Sequence, residues 1–225
     1  MSNNEVVKKY WNFEKIVKEF DEIYDNKGGI FKRLVNKTFR KGMRERVALT
    51  LQECHGRNKT VLDIGCGSGR VSFLLAEKGM KVVGIDYSSK MIELADEYLK
   101  KYIVNKSVKL NVKFMCRNFM KNFEGNKAFD ITVALGAFDY IKNPIPFLKK
   151  MRNTTKEKMI ASYPAKFTFI TPIRKVWLWT RNCPVYFYTK NELKAMYDSI
   201  GIKNYKIRKT PDGYLVVANI SQRKK

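Results

Sequence analysis

The stretch Val61-Leu62-Asp63-Ile64-Gly65-Cys66-Gly67-Ser68-Gly69-Arg70 decides the fold of this 225-residue chain. A short apolar run ends on a carboxylate, Asp63, and three glycines follow within five positions. A strand that passes through such a loop into a helix gathers backbone N–H groups and a helix N-terminus at one point, and the missing side chains let a ligand approach the main chain. Asp86 lies twenty-one residues beyond Gly65 and ends a second apolar run that starts at Lys81. An acid at that distance is placed to accept hydrogen bonds from ribose hydroxyls, so loop and acid together point to a nucleoside. The spacing is GxGxG, with Arg70 where the dinucleotide fingerprint needs its third glycine, which disfavours a pyrophosphate. Asp63 would also repel a pyrophosphate; it suits a ligand with a cationic head, an amino group or a sulfonium.

Working outward, strands and helices alternate. Apolar residues from Glu5 to Tyr24 fall at helical spacing and predict an amphipathic N-terminal helix, broken by Asn26-Lys-Gly-Gly29; a basic helix is expected from about Phe31 to Glu53. Thr60 to Ile64 and Lys81 to Asp86 read as buried strands. Arg70 to Glu77 reads as a helix with Val71, Leu74 and Leu75 inward and Gly79 at its stop, and Ser88 or Ser89 caps a helix whose stripe is Met91, Leu94, Ala95, Tyr98 and Leu99. Asn111 to Met115, Phe129 to Leu135 and Met159 to Tyr163 supply three more strands. Pro144 opens a helix, and Thr189 with Glu192 forms a capping box for another that Gly201 closes. Tyr205 to Lys209 and Tyr214 to Ile220 flank the turn Pro211-Asp-Gly213. This order means an α/β fold on a mostly parallel sheet with an antiparallel edge, in a single domain over 1–225. Its parts are expected to be an N-terminal helical lid (1–55), a cofactor-binding core (56–163), a substrate-side insertion (164–188), and a C-terminal helix and hairpin (189–225).

Composition narrows the classes. Cys54, Cys66, Cys116 and Cys183 are scattered without a CxxC pair and His55 is the one histidine, so no metal site is expected and a reducing, cytoplasmic setting is. The N-terminal MSNNEVVKKYW has no apolar signal core, and the longest apolar run, near Ile131 to Phe138, is far short of the roughly 20 residues a membrane-spanning helix needs. The formal charge is +24 and its distribution is blocky. Residues 26 to 60 hold ten basic residues against Glu45 and Glu53, and residues 141 to 190 hold eleven against Glu157. Such blocks read as solvated faces, as a pocket for an anionic small substrate, or as a surface for nucleic acid or anionic lipid.

VLDIGCGSG, then VVGIDYS, then FDITVALGAFDYI resemble the signature segments of the class I S-adenosylmethionine-dependent methyltransferases, over about residues 55 to 220. The resemblance implies a Rossmann-like, seven-stranded sheet whose last strand is antiparallel, with helices on both faces and extra N-terminal helices. It implies S-adenosylmethionine as cofactor and S-adenosylhomocysteine as product. Asp63 and the loop of Gly65, Cys66, Gly67 and Gly69 would hold the methionine end, Asp86 the ribose hydroxyls, and Tyr87 would pack on adenine. Leu135 and Tyr24 are further expected cofactor contacts. Many members carry an Asp after the third strand for the adenine amino group; this chain has Asn118, whose amide oxygen can accept the same bond, and Phe119 is expected to stack on the base.

Methyl transfer from a sulfonium is mostly positioning, since the leaving group is already activated. An acceptor hydroxyl or protonated amine must also lose a proton, and Asp139 and Tyr140, after the fourth strand, are the candidate catalytic residues. Many small-molecule relatives carry a histidine in this stretch; this chain does not. Substrate selection is expected from Tyr10 and Trp11 of the N-terminal lid and from Pro164 to Tyr188, where Lys166, Arg174, Arg181 and Tyr186 alternate aromatic faces with cations, suited to a flat or sugar-like acceptor bearing phosphate or carboxylate. YPAK and CPVYFYTKNEL resemble the tetrapyrrole and quinone O-methyltransferases within the family. The expected function is methyl transfer to oxygen or nitrogen of a small, anionic acceptor. Two alternatives stand: an RNA methyltransferase, against which LGAFDY replaces the [DN]PP[FY] of amino-methylating nucleic-acid enzymes, and a non-catalytic S-adenosylmethionine-binding protein. Peripheral contact with anionic membrane through the 26–60 block is a further possible partnership.

Overall fold

The computed structural model describes residues 3–13, 30–106, 109–168, 171 and 183–220. In chain order these form α1 (Asn3–Trp11), α2 (Ile30–Glu53), β1 (Thr60–Ile64), α3 (Arg70–Glu77), β2 (Lys81–Asp86), α4 (Ser89–Lys106), β3 (Val112–Cys116), β4 (Phe129–Ala134), a 3-10 turn (Ala137–Tyr140), α5 (Pro144–Thr154), β5 (Thr155–Pro164), α6 (Lys190–Ser199), β6 (Tyr205–Thr210) and β7 (Gly213–Asn219). The seven strands make one sheet in the order β3-β2-β1-β4-β5-β7-β6. The central strands pair in parallel, and β7 runs antiparallel to both β5 and β6.

The last strand is therefore antiparallel as expected, but it is not the edge. It inserts between β5 and β6, which leaves β6 outermost. The physical reason is in its composition: Leu215, Val216, Val217 and Ala218 are consecutive and all buried, as a strand covered on both faces requires, whereas β6 (YKIRKT) alternates and can face water. Two apolar layers sandwich the sheet, one built around Leu62, Phe138, Leu148, Met159, Tyr163 and Tyr197, the other around Val61, Leu75, Val82, Ile131, Ile160 and Leu215. Successive residues of β1 and β5 alternate between these layers, so each strand feeds both cores.

Local signals hold at the helix ends. Ser88 Oγ accepts from Met91 N (3.2 Å) and caps α4; the Thr189–Glu192 capping box is formed in both directions at α6. Gly79 and Gly201 take left-handed φ of 82° and 73° just past their helices. Two expectations change. The N-terminal helix stops at Trp11, because Asn12 turns out of it and its side chain bonds Ser88 instead, so the stripe to Tyr24 is not one described helix. β5 begins four residues early, at Thr155, because the polar residues Lys156, Glu157 and Lys158 are tied by ion pairs to Asp130, Lys59 and Glu53 at the strand's open end.

Candidate active site at the carboxyl edge of the sheet

Every strand-to-helix connection that follows a parallel strand emerges at one edge, and the glycine loop lies there between β1 and α3. Gly65 N and Cys66 N both donate to Ile85 O (2.8 and 3.1 Å), which locks the loop against β2. Gly65, Gly67 and Gly69 all have positive φ, of 74°, 53° and 77°. Their reasons differ. A Cβ on Gly69 would lie 2.5 Å from Phe114 Cζ, so that glycine serves packing; a Cβ on Gly67 would meet nothing within 4 Å, so that glycine faces open space. Across the edge, Gly136 at the end of β4 also has positive φ (84°) and also faces open space.

Two buried carboxylates stand at the same edge, in β1 and at the end of β2. Asp63 is 2% exposed and accepts from Ser72 Oγ on α3 at 2.7 Å. Burial, reinforced by the nearby charge of Asp86 and opposed by the Ser72 bond, lifts its carboxyl to about 6. Asp86, at the end of β2, accepts from Gly67 N (3.1 Å) and Ser88 N (2.9 Å). Burial raises it too, while these backbone donors pull it down. Asp86 thus clamps the loop to the start of α4 with one carboxylate. A carboxylate has about four acceptor positions, so acceptor capacity remains for a ligand. Cys66 is held as a thiol by burial and by both carboxylates.

The N-terminal helix closes one side. Ser88 Oγ lies 2.9 Å from Trp11 O and 2.7 Å from Asn12 Oδ1, Trp11 meets Tyr140 edge-on at 5.7 Å, and Tyr10 packs with Cys183. Tyr87, next to Asp86, is half-buried. Its hydroxyl is enclosed without a hydrogen-bond partner among the described residues, and burial with the charge of Asp86 drives its pKa up. The loop residues, Asp63, Asp86, Tyr87, Trp11 and Tyr140 therefore converge. Asp139 is buried (3%) on the 3-10 turn beside them; its backbone oxygen accepts from Tyr186 N at 2.8 Å, and its charge helps burial raise the Tyr188 phenol.

Other expected site residues sit elsewhere. Phe119 is 5% exposed and lies among Phe147 (4.9 Å), Phe123 (5.7 Å) and the Lys150 ammonium (5.3 Å), packed into the core on the α5 side. The sequence suggested stacking because the ring follows a strand end, but the chain turns inward there. Asn118 Oδ1 accepts from Met120 N (2.9 Å) and Lys121 N (3.2 Å), so both its lone pairs are used within its own turn and only its amide nitrogen is left to meet another group. Lys166 pairs at the surface with Glu192 (2.6 Å), Leu135 packs toward the α3-side core, and Tyr186 packs against the other core. Tyr24, Arg174 and Arg181 lie outside the described residues. His55 is exposed just beyond α2.

Sequence reasoning missed Ser72, Ser162 and Arg46. Ser162 had a signal: a small hydroxyl inside the apolar strand Met159-Ile-Ala-Ser-Tyr163 must find a partner. It accepts from Gly136 N at 2.8 Å and is fully buried.

Comparison with known proteins agrees with this architecture. Residues 55–198, more than half of the chain, match the methyltransferase domain family. A ubiquinone biosynthesis O-methyltransferase of Coxiella burnetii is 26% identical over 133 residues, which cover 59% of this chain and 49% of that protein. Its namesake from Pelagibacter ubique is 33% identical over 104 residues, covering 46% and 40%. The chain thus aligns with half or less of the length of these curated relatives. The crystal structure of a magnesium protoporphyrin IX methyltransferase from Synechocystis PCC 6803, with S-adenosylhomocysteine bound, superposes with a TM-score of 0.75 at 19% identity over 98% of this chain and all of that one. With the glycine loop, the sheet order and a match spanning 55–198 in agreement, the chain belongs to the methyltransferase domain family, the class I S-adenosylmethionine-dependent methyltransferases.

Proposed function

We propose that the chain binds S-adenosylmethionine at the carboxyl edge of β1 and β2 and transfers its methyl group to an oxygen of a small, anionic acceptor seated toward β4 and β5. The observation that carries this reading is the open space beside Gly67 and Gly136, at the edge that holds the buried carboxylates of Asp63 and Asp86. That volume fits the cofactor: a cationic amino-acid head needs a carboxylate, and a ribose needs an acceptor at the end of the next strand. Oxygen is favoured over nitrogen because the curated relatives are named O-methyltransferases.

When bound, the cofactor supplies a methyl already activated on a positively charged sulfur. The chain's part is to hold and aim. Asp63, kept from water and steadied by Ser72, attracts the ammonium of the methionine end, and Asp86 takes the ribose hydroxyls with the acceptor positions it does not spend on Gly67 and Ser88. Tyr87 flanks the base. Trp11 and Tyr140 close the volume from above and exclude water. Asp139 stands after β4 as the carboxylate that receives the acceptor's hydroxyl proton, with Tyr140 shaping the wall beside it.

Calorimetry with S-adenosylhomocysteine, followed by incubation with deuteromethyl-labelled S-adenosylmethionine and separated cell-extract fractions, tests the reading. Label is expected in the acidic small-molecule fraction. Label confined to RNA, or firm binding with no transfer to any fraction, would replace it with one of the two alternatives.

Gly67→Val is expected to eliminate the calorimetric signal for S-adenosylhomocysteine, since its branched side chain fills the volume the ligand needs. The fold should survive, weakened by on the order of 1–3 kcal/mol from the left-handed backbone. A variant that binds normally would place the ligand elsewhere.

Acidification is expected to weaken binding of both S-adenosylmethionine and S-adenosylhomocysteine as the pH falls through about 6, where Asp63 takes up a proton and loses its hold on the ammonium. For the unliganded protein the sign is opposite. An acid whose folded pKa is raised holds its proton longer when folded, so its share of stability declines as pH rises between the ordinary carboxylate range and about 6. Asp63→Asn should flatten both profiles; a wild-type affinity constant from pH 5 to 8 would exclude Asp63 from the site.

A further inference from the structure

Helix α2 packs against the β6–β7 turn. A Cβ on Gly42 would lie 2.5 Å from Asp212 Cγ, so a larger residue there would push the Asp212 carboxylate from its place. One turn further along α2, Arg46 reaches over the same turn. Its Nη2 lies 3.4 Å from Asp212 Oδ2, and its Nη1 donates to Ser162 Oγ at 3.4 Å. Asp212 is itself fixed by Thr210 Oγ1, which donates to Oδ1 at 3.0 Å. The Arg46 side chain is 15% exposed and the Asp212 side chain 5%.

Ser162 Oγ also accepts from Gly136 N at 2.8 Å, so the guanidinium stands two hydrogen bonds from the open space beside Gly136. Because β7 is antiparallel, the turn before it lies at the carboxyl edge of β5, the same edge that carries the loop and Asp86. The guanidinium has five N–H donors in a planar fork, and its two contacts here are both at the long end of their range. An ion pair this far from water adds little net stability, whereas a fork held in place by a carboxylate is well suited to grip an oxyanion.

We propose that Arg46, oriented by Asp212 and Ser162, is the anion-binding residue of the acceptor pocket and takes a carboxylate or phosphate group of the substrate. This rests on the reading of the pocket given above and names the residue that selects its acceptor class. The pairing with Asp212 offsets the guanidinium's charge while no anion is bound. An incoming oxyanion then gains the unused donors without displacing the carboxylate that aims them.

The test uses the full-length, 15N-labelled protein with S-adenosylhomocysteine present, titrated separately with sodium benzoate and inorganic phosphate and read at the amides of Gly136 and Ser162. Saturable shifts at both amides are expected with at least one of the two anions, and which anion binds more tightly distinguishes a carboxylate from a phosphate substrate. Arg46→Gln combined with Asp212→Asn, which removes both charges and leaves none stranded, should weaken that anion about tenfold or more. Arg46→Lys keeps the charge and loses the fork, so it should fall between the two and guards against a folding defect in the double variant. Unchanged affinity in a well-dispersed double variant, equal binding by Arg46→Lys and wild type, or wild-type shifts confined to surface lysines would each overturn the proposal, the last meaning an adventitious ion only. Calorimetry of S-adenosylhomocysteine on the same samples separates the two readings: absence of that heat from wild type counts against the cofactor pocket, and retention of it in every variant leaves the anion result to stand alone.

Discussion

Asp86→Ala is expected to lower the affinity for S-adenosylmethionine and S-adenosylhomocysteine by about two to four orders of magnitude, measured by calorimetry. Two hydrogen bonds from ribose hydroxyls to an ionised carboxylate would be lost, each worth about 1.5–3 kcal/mol. The substitution acts on the empty protein as well. Asp86 joins Gly67 N to Ser88 N, so its removal releases the glycine loop from the start of α4 and strips two enclosed N–H groups of their acceptor. Asp86→Asn separates these effects. The amide oxygen can keep one backbone bond and the shape of the clamp, yet its NH2 meets the donors of the other side, so affinity should fall to an intermediate level. Wild-type affinity in Asp86→Ala would contradict the ribose assignment outright.

Gly213→Val is expected to cause the largest loss of stability of any single change at the described glycines, on the order of 3 kcal/mol, read as a lower urea midpoint. Gly213 opens β7 opposite Pro164. Any Cβ there would overlap the carbonyl oxygen of Tyr163 and sit 3.0 Å from Pro164 Cα, and neither backbone can yield without parting β5 from β7. Parting them disturbs Tyr163, 1% exposed, whose ring lies 4.5 Å from Phe138 and whose hydroxyl is 3.0 Å from that of Tyr197. An unshifted midpoint would mean that the hairpin is not held as tightly as this packing requires.

The two glycines show where reading a sequence succeeds and where it stops. Gly67 belongs to a motif whose spacing announces a backbone open to a ligand, and the structure gives it a φ of 53° and empty space. Gly213 looks like half of a Pro-Asp-Gly turn, and its φ is not what makes it indispensable; a strand fifty residues earlier is. Phe119 shows the same limit. It follows a strand end where a base-binding residue is expected, but whether a ring after a strand turns toward the loop or the core depends on α5, which brings Phe147 and Lys150 against it. Lys166, chosen for its company of aromatics, is instead paired with Glu192 of the α6 capping box. The capping box is local, whereas its reach to Lys166 depends on how α6 packs beside the end of β5.

Short-range chemistry is legible in the residues alone. The order of strands and helices, the caps at Ser88 and Thr189, the left-handed stops at Gly79 and Gly201, and the loop with Asp63 and Asp86 at neighbouring strand ends all follow from periodicity, propensity and motif spacing, because each depends on residues within a turn or two of one another. Where the last strand goes, and what it brings with it, is set by packing across the whole sheet. Burial of Leu215 to Ala218 on both faces drives β7 inside the sheet, and its turn then carries Asp212 to Arg46, 166 positions away, and places both beside Ser162 and Gly136. No local pattern records that meeting, since it is set by which apolar surfaces must be covered and not by any preference of the residues that end up touching.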